Sequence, residues 1–567
     1  MANTLNLGDG NWGVKDSSLL GYAKDNTKFV PETFDVTRAS GGTRVNKDGL
    51  IETPAELGSE EVVNGDFATD SDWGKQAGWT ISGGSANSNN GGSYKSISQS
   101  GMPFQVGKSY KVSCEVSNYV SGGIVFNVGG FNLSQVFTEN GVHTQIIQAS
   151  NPSTNTYLYI ESRASGFEGS VDNVSVVEYN DNNLARIDYT DGADGVLLTE
   201  PQSTNFVQDS EDFRNGKWAQ VNATTSSEAI ISPDGTSGSF LVSPSADSNR
   251  HYIWESVSGS VTASFSLFVK AKELSYVQIA SGNNTQQFAN FDVSNGTVGS
   301  VGTNFSNAKI EDYGNGWYRC SAVSNSQYNS FYISVIQSST SAWLGVWNPA
   351  NNTDGLYVWG AQVEAANAVG YNGEYSTSYI LTEGSTVTRN KDEVNNGGDV
   401  NSFGSEEGVL YAEIADFATT SSYRLIQISD GSSSNRIYLA YTNANNKIRV
   451  VVRVANSDQF DYQYTLTDAT EFNKIAFKYK ENNFSLWVNG VEVYTDSSGI
   501  TFPSATLNVV SFSNTFGSEN FFGKTKNIQA FNTALSDSDL LSLTTTGSVP
   551  YWKQYSAMAT SLNYTNK

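Results

Sequence analysis

Only two histidines, His143 and His251, stand in the 567-residue chain, so a Ser-His-Asp relay has to use one of them. Both read as strand or loop histidines. No Walker loop, Cys-x-x-Cys pair or His-Glu-x-x-His run occurs. With 57 Asp and Glu in the chain, an adjacent pair such as Glu406-Glu407 is solvated surface rather than an acid–base couple. The chemistry these side chains suit is recognition. Carboxylate, amide and backbone oxygens are abundant while Cys and His are scarce, which makes calcium the expected metal. Sugar recognition needs an aromatic ring under the apolar face of the sugar and amides or carboxylates at its hydroxyls, and both kinds of group are plentiful. Of the 11 Trp, Trp73, Trp79, Trp218 and Trp487 fit core positions. Trp343 and Trp347 share a face and suit either core or surface. The chain reads as a binder and not as an enzyme.

The elements that must position these groups are strands. Tyr, Phe, Val, Thr, Ser, Asn and 52 Gly favour strands and tight turns over long helices, so the fold class is all-β. The length suggests roughly three to five domains. The formal charge is −24, and no Lys/Arg cluster offers a phosphate polymer or anionic lipid a counter-surface, so neither nucleic acid nor membrane insertion is expected. Cys114 and Cys320 cannot build a disulfide framework and read as small buried hydrophobes. Neither a signal peptide nor an 18-residue apolar run is visible.

Alternation carries the organisation. Tyr110, Val112, Cys114 and Val116 point one way and Lys111, Ser113, Glu115 and Ser117 the other, as in a sandwich strand. Asp66-Phe67 with Trp73 and Trp79 is echoed by Asp212-Phe213 with Trp218, and the strand from Val171 to Glu178 by that from Leu356 to Glu364, which implies two similar sandwiches in tandem. The turn Asn489-Gly490 between apolar runs predicts a hairpin. One short helix is predicted from Ser536, whose Ser-Asp-Ser-Asp run supplies a cap and an acidic first turn. The expected domains are an N-terminal anchor at 1–55, a jelly roll at 56–183, a connector at 184–204, a second jelly-roll sandwich at 205–394, a third sandwich at 395–545 and an aromatic tail at 546–567 with Tyr551, Trp552, Tyr555 and Met558.

Three resemblances attach to these segments. Residues 58–180 resemble family 4/9 carbohydrate-binding jelly rolls, through the opening Asn64-Gly65-Asp66-Phe67 and the closing Asp172-Asn173-Val174-Ser175-Val176. Residues 404–545 resemble the concanavalin-like lectin/laminin-G sandwich, through Trp487-Val488-Asn489-Gly490, Phe522-Gly523 and Ala534-Leu535-Ser536. The Glu-x-Asp-x-x-Glu strand of a concanavalin-like glycosidase is absent, Glu413-Ile414-Ala415-Asp416 being the nearest approach. The segments Phe34–Ser40, Val45–Glu52, Ala185–Tyr189, Leu197–Pro201 and Thr204-Asn205, followed by Ser210-Glu211-Asp212-Phe213 and Trp218, look like the recurrent frame of bacteriophage head-spike and tail-fibre proteins, with the first jelly roll inserted into it.

The resemblances imply a virion fibre or spike that binds host-surface carbohydrate, assembles in the host cytoplasm without an export signal and is released by lysis. They also imply a homotrimer and contacts with other virion proteins through residues 1–55, where Trp12, Leu19, Leu20, Tyr22, Phe29 and Phe34 would bury against a partner or against the following sandwich. The alternative is a secreted bacterial polysaccharide-binding or polysaccharide-degrading protein. Related jelly rolls hold a structural calcium where first and last strands meet, which by analogy assigns Asp66 and Asp172 in the first module and Glu211 or Asp212 with Asp354 in the second. The same carboxylates also suit turn caps.

Overall fold

Alternating apolar residues give strands such as Ser109–Val128 one dry face, while central strands such as Ala263–Ala271 and Arg424–Ser429 are buried on both faces, and the dry faces pack sheet against sheet. The computed structural model describes residues 3–25, 28–129, 132–150, 156–214, 216–257, 259, 262–282, 284–367, 371–419, 422–546 and 552–566. Half of the chain is strand and 3% is helix, so the cores are built from sheet faces. The chain divides into two compact units, residues 55–181 and the remainder, residues 1–54 with 182–567.

In the unit 55–181 two long strands, Ser109–Val128 and Leu158–Asn180, run antiparallel, with register shifts near Ser117–Gly123. Tyr110, Val112, Cys114 and Val116 are buried as their spacing predicts, while Lys111, Ser113 and Glu115 stay half-buried. At the shift Gly122 has φ +81°, and a Cβ there would lie 1.7 Å from the Gly166 carbonyl oxygen, so only glycine fits. The opening and closing motifs meet: the Val174 N–H donates to the Gly65 carbonyl at 2.9 Å, and Phe67 packs on Trp73 with ring centroids 5.1 Å apart.

Within the other unit, residues 205–365 form a sandwich of two six-stranded sheets. One runs in the order Ala219–Val221, Tyr252–Glu255, Phe331–Val335, Tyr276–Ala280, Phe288–Asp292, Thr297–Val301. The other runs Ala223–Ile231, Ser237–Pro244, Leu356–Ala365, Ala263–Ala271, Trp317–Ser324, Phe305–Asp312. Their inner faces enclose Trp218, Phe265, Leu267, Ile279, Phe291, Cys320 and Ile333.

The lectin-type sandwich sets a five-stranded sheet, with Arg424–Ser429, Arg436–Tyr441 and Lys447–Val454 at its centre, against a larger one. The segment 1–55, expected as an N-terminal anchor, does not stand apart from the sandwiches. Leu5–Gly8 lies between Ser18–Asp25 and Gly523–Phe531, in register from Leu5↔Ala530 to Gly8↔Asn527, so it is an interior strand of the lectin sheet. Leu5, Leu7, Trp12, Leu19 and Phe34 share one core with Ile426, Ile437, Phe477 and Ile528. The segment is too polar to form a core alone, and the partner it buries against is this chain's own C-terminal sandwich. Phe34 seats on Gly397, where a Cβ would meet its ring at 2.2 Å.

The tail is likewise built in. Thr565–Asn566 pairs with Gly13–Lys15, and the buried Tyr555 hydroxyl donates to the Leu20 carbonyl at 2.8 Å. Tyr551 and the side chains of Trp552 and Phe29 lie outside the described residues. The predicted hairpin and helix both form. Asn489 and Gly490 have φ of 49° and 82° between Phe484–Val488 and Val491–Asp496, and Ser536 caps the helix Asp537–Thr546. No helix among the described residues is long and apolar enough to cross a membrane.

Candidate functional site

The frame segments noticed in the sequence converge on a buried charge network. Arg38 follows the strand Lys28–Thr37, Arg186 opens the short strand Arg186–Asp188, Glu200 follows Val196–Thr199, Arg389 ends Val387–Arg389 and Asp392 lies three residues on. All five are at most 4% exposed. Asp392 receives Arg38 at 2.8 Å, Arg186 at its other oxygen and the Glu200 backbone N–H at 2.9 Å. Glu200 receives Arg186 at 2.7 Å and Arg389 at 3.0 Å. Burial alone raises the Asp392 carboxyl, but Arg186, Arg38 and Arg389 outweigh it and hold it down to about 2. Glu200 is lowered in the same way, against its burial, by Arg389 and Arg186. Three guanidiniums against two carboxylates, all sequestered from water, form a structural joint and leave no acid in proton exchange with a substrate.

A site of another kind lies on the outer face of the sheet containing Tyr252–Glu255. Ile253 points into the core, so Tyr252 and Trp254 point outward, and on the neighbouring strand Tyr332 stands directly opposite Trp254. Trp254, Tyr332, Tyr252 and Trp343 form a contiguous group with ring centroids 5.1–6.4 Å apart, each ring half-buried. The group ends at a cleft of about 400 Å³ lined by Gln208, Asp209, Lys217, Trp254 and Glu255. Glu255 Oε1 accepts the Gln208 N–H at 2.8 Å, while its buried Oε2 has no hydrogen bond of normal geometry. Burial, with Asp209 nearby, raises the Glu255 carboxyl to about 7. Asp209 in turn pairs with Lys217 at 3.0 Å. An aromatic ring beside hydrogen-bonding groups that lack full partners is the chemistry of sugar recognition. Sequence reading missed Trp254 and Glu255, although the alternation Tyr252, Trp254 against Ile253 carried the signal. Trp343 joins this outer group, whereas Trp347 packs toward the core with its Nε1–H on the Val335 carbonyl at 3.1 Å. Trp73, Trp79, Trp218 and Trp487 are core residues as expected.

Each residue assigned to calcium by analogy has a hydrogen-bond donor of its own. Asp66 is exposed and accepts the Ala68 N–H at 3.3 Å; Asp172 accepts the Asn173 N–H at 2.7 Å. Both Asp212 oxygens are held by Arg214, at 2.8 and 2.5 Å, and Asp354 accepts from the Asn351 amide at 2.9 Å. Glu211 accepts the Tyr379 hydroxyl at 2.9 Å, and burial raises its carboxyl to about 7. Among the described residues no three His, Cys, Asp or Glu side chains converge on a metal position. These carboxylates serve as turn caps and in ion pairs. The His143 ring nitrogen lies on the Glu139 carbonyl, and both nitrogens of buried His251 face backbone carbonyls.

Comparison with known proteins adds the class of the last sandwich. Residues 415–540 match the family model of the concanavalin A-like lectin/glucanases superfamily, of laminin G type. No curated protein matches the chain. Among solved structures, CBM40 of the Ruminococcus gnavus IT-sialidase is similar at 18% identity over 25% of this chain and 84% of that one, with a TM-score of 0.22. The same CBM40 bound to alpha2,3 sialyllactose aligns at 18% identity over 26% and 93%, TM-score 0.23. Domain 4 of AbnA, a GH43 extracellular arabinanase from Geobacillus stearothermophilus in complex with arabinotriose, aligns at 13% identity over 30% and 84%, TM-score 0.22.

Proposed function

We propose that the chain binds glycan without turning it over, through the Trp254 cleft of the sandwich 205–365. The observation that carries this reading is the half-buried outward indole of Trp254 next to Glu255, whose Oε2 is buried without a full hydrogen bond. A pyranose laid on the indole brings hydroxyls that donate to Glu255 and accept from Lys217. The lectin-type sandwich at 415–540 supports the same class of function. The finer reading is a fibre or spike of a bacteriophage virion, acting as a homotrimer that attaches to host-surface carbohydrate, and it rests on the resemblance of the frame segments. The test at the site is a glycan array followed by calorimetry on the best ligand. Trp254→Ala is expected to weaken binding about tenfold, or about 1.4 kcal/mol, and unchanged affinity refutes the site. Immunogold labelling tests the finer reading, which fails if purified particles lack the protein.

A further inference from the structure

A second cavity, sharing no lining residue with the Trp254 cleft, has a volume of about 510 Å³ and is bordered by the sandwich 205–365, the frame and the lectin-type sandwich. Arg319 lines it from the strand Trp317–Ser324 and is 4% exposed. The other arginines buried to this degree each have a carboxylate within 4 Å: Arg38 and Arg186 have Asp392, Arg389 has Glu200, Arg44 has Glu52 and Arg424 has Asp416. Arg319 has none among the described residues. Its partners are neutral: Ser266 Oγ at 3.0 Å, the Thr377 carbonyl at 2.8 Å, the Tyr313 side chain and the face of Phe268, 5.4 Å from ring centroid to guanidinium. The carboxylate directly opposite on the adjacent strand, Glu311, is taken by Lys309 at 2.6 Å. Glu364 is occupied by Ser203 and Thr377. Glu311 and Glu364 act on Arg319 only at longer range, and the wall sets the carboxylates Asp188, Glu200 and Glu374 against Arg44, Lys309 and Lys524, so a buried guanidinium whose hydrogen-bond partners are all neutral is the group that suits an anion brought from outside.

The rest of the wall narrows the class of anion. Phe268, Tyr313 and Tyr375 line the same space, with Asn325 and Ser376 offering amide and hydroxyl groups. Aromatic faces suit the apolar side of a sugar ring, and the size is that of pockets that enclose small ligands. We propose that this cavity binds a pyranose bearing a carboxylate, its carboxylate on Arg319 and its ring against the aromatic wall. The inference goes beyond the proposed function by naming a separate site and an acidic sugar class, and it stands whether or not the Trp254 cleft binds glycan.

Isothermal titration of the full chain with glucuronate, N-acetylneuraminate, glucose and inorganic phosphate tests it. The acidic sugars are expected to bind, more weakly as salt is raised, and glucose to bind at least tenfold less well. Arg319→Gln and, separately, Asn325→Trp at the exposed rim are expected to weaken the acidic sugars at least tenfold, and Trp254→Ala to leave them unchanged. Near-UV circular dichroism verifies folding, and the rim variant retains the test if the Arg319 variant does not fold. Equal binding of glucose, or full binding by a folded Asn325→Trp variant, overturns the proposal. Phosphate binding as tight as glucuronate overturns the sugar assignment.

Discussion

Asp392→Asn removes one charge from the centre of the frame network while keeping the size of the side chain. Three buried guanidiniums, Arg38, Arg186 and Arg389, then face Glu200 alone. Removing one partner from a buried ion pair costs about 3–5 kcal/mol, because the partner's charge stays buried. A separate estimate comes from proton linkage. The Asp392 carboxyl is held down to about 2 from its ordinary 3.8, a gap worth on the order of 2 kcal/mol. Its folded value is depressed, so this contribution is complete above the unfolded pKa near 4 and is lost as pH falls through about 2. The expected loss at neutral pH is therefore about 2–5 kcal/mol, and the variant is expected to show a weaker fall in stability between pH 4 and 2 than the parent. Urea unfolding followed by tryptophan fluorescence at pH 7 and pH 3 measures both. The two compact units need separate transitions, and that of residues 55–181 should not move. A shift below about 1 kcal/mol at pH 7 would refute the network as the joint of the frame.

Other outcomes follow from the same structure. Deleting residues 1–37 removes an interior strand and uncovers the lectin core, so the product is expected to be insoluble or to bind a hydrophobic dye, whereas soluble protein with native circular dichroism would contradict the topology. Burial raises Glu211 to about 7 from an ordinary 4.5, so its folded pKa lies above the unfolded one and its contribution falls away as pH rises from about 4.5 through 7. Glu211→Gln, which keeps an acceptor for Tyr379, should raise stability by about 1–3 kcal/mol at pH 8 and leave it unchanged at pH 4, read by thermal melts. Burial lifts the Cys114 thiol to about 12 and raises the Cys320 thiol well above its ordinary range, so neither should react with a thiol reagent at pH 8 until urea unfolds the chain.

What the sequence made legible was local. Alternation at Tyr110–Val116, the Asn489-Gly490 turn and the Ser536 cap each depend on residues within a few positions, and each forms as read. One of the two partners of Leu5–Gly8, Gly523–Phe531, lies more than 500 residues away, and no local pattern announces it. Nor does any local pattern announce the burial of Arg38: the carboxylate that lets it be buried is 354 residues downstream. The Trp254 site was half legible. Its outward alternation was in the strand, but Asp209 and Lys217 come from a separate loop, and only the fold puts them beside it. For two of the carboxylates assigned to calcium by analogy the fold supplies close donors: Arg214 holds Asp212, and the Asn351 amide donates to Asp354.

The interior position of Leu5–Gly8 also sets a timetable. Asn3 and Gln529, bonded side chain to side chain, are 526 positions apart. At about 5–20 residues per second, a ribosome makes the neighbour of this strand on the order of half a minute to two minutes after the strand itself. The sandwich at 205–365 and the unit 55–181 have all their strands in hand long before that, while the first apolar segment waits without its cover. The lectin-type sheet is thus the last part of the molecule to close, and the interval before Gly523–Phe531 emerges is when the nascent chain is most exposed to proteases and to mispairing with its neighbours.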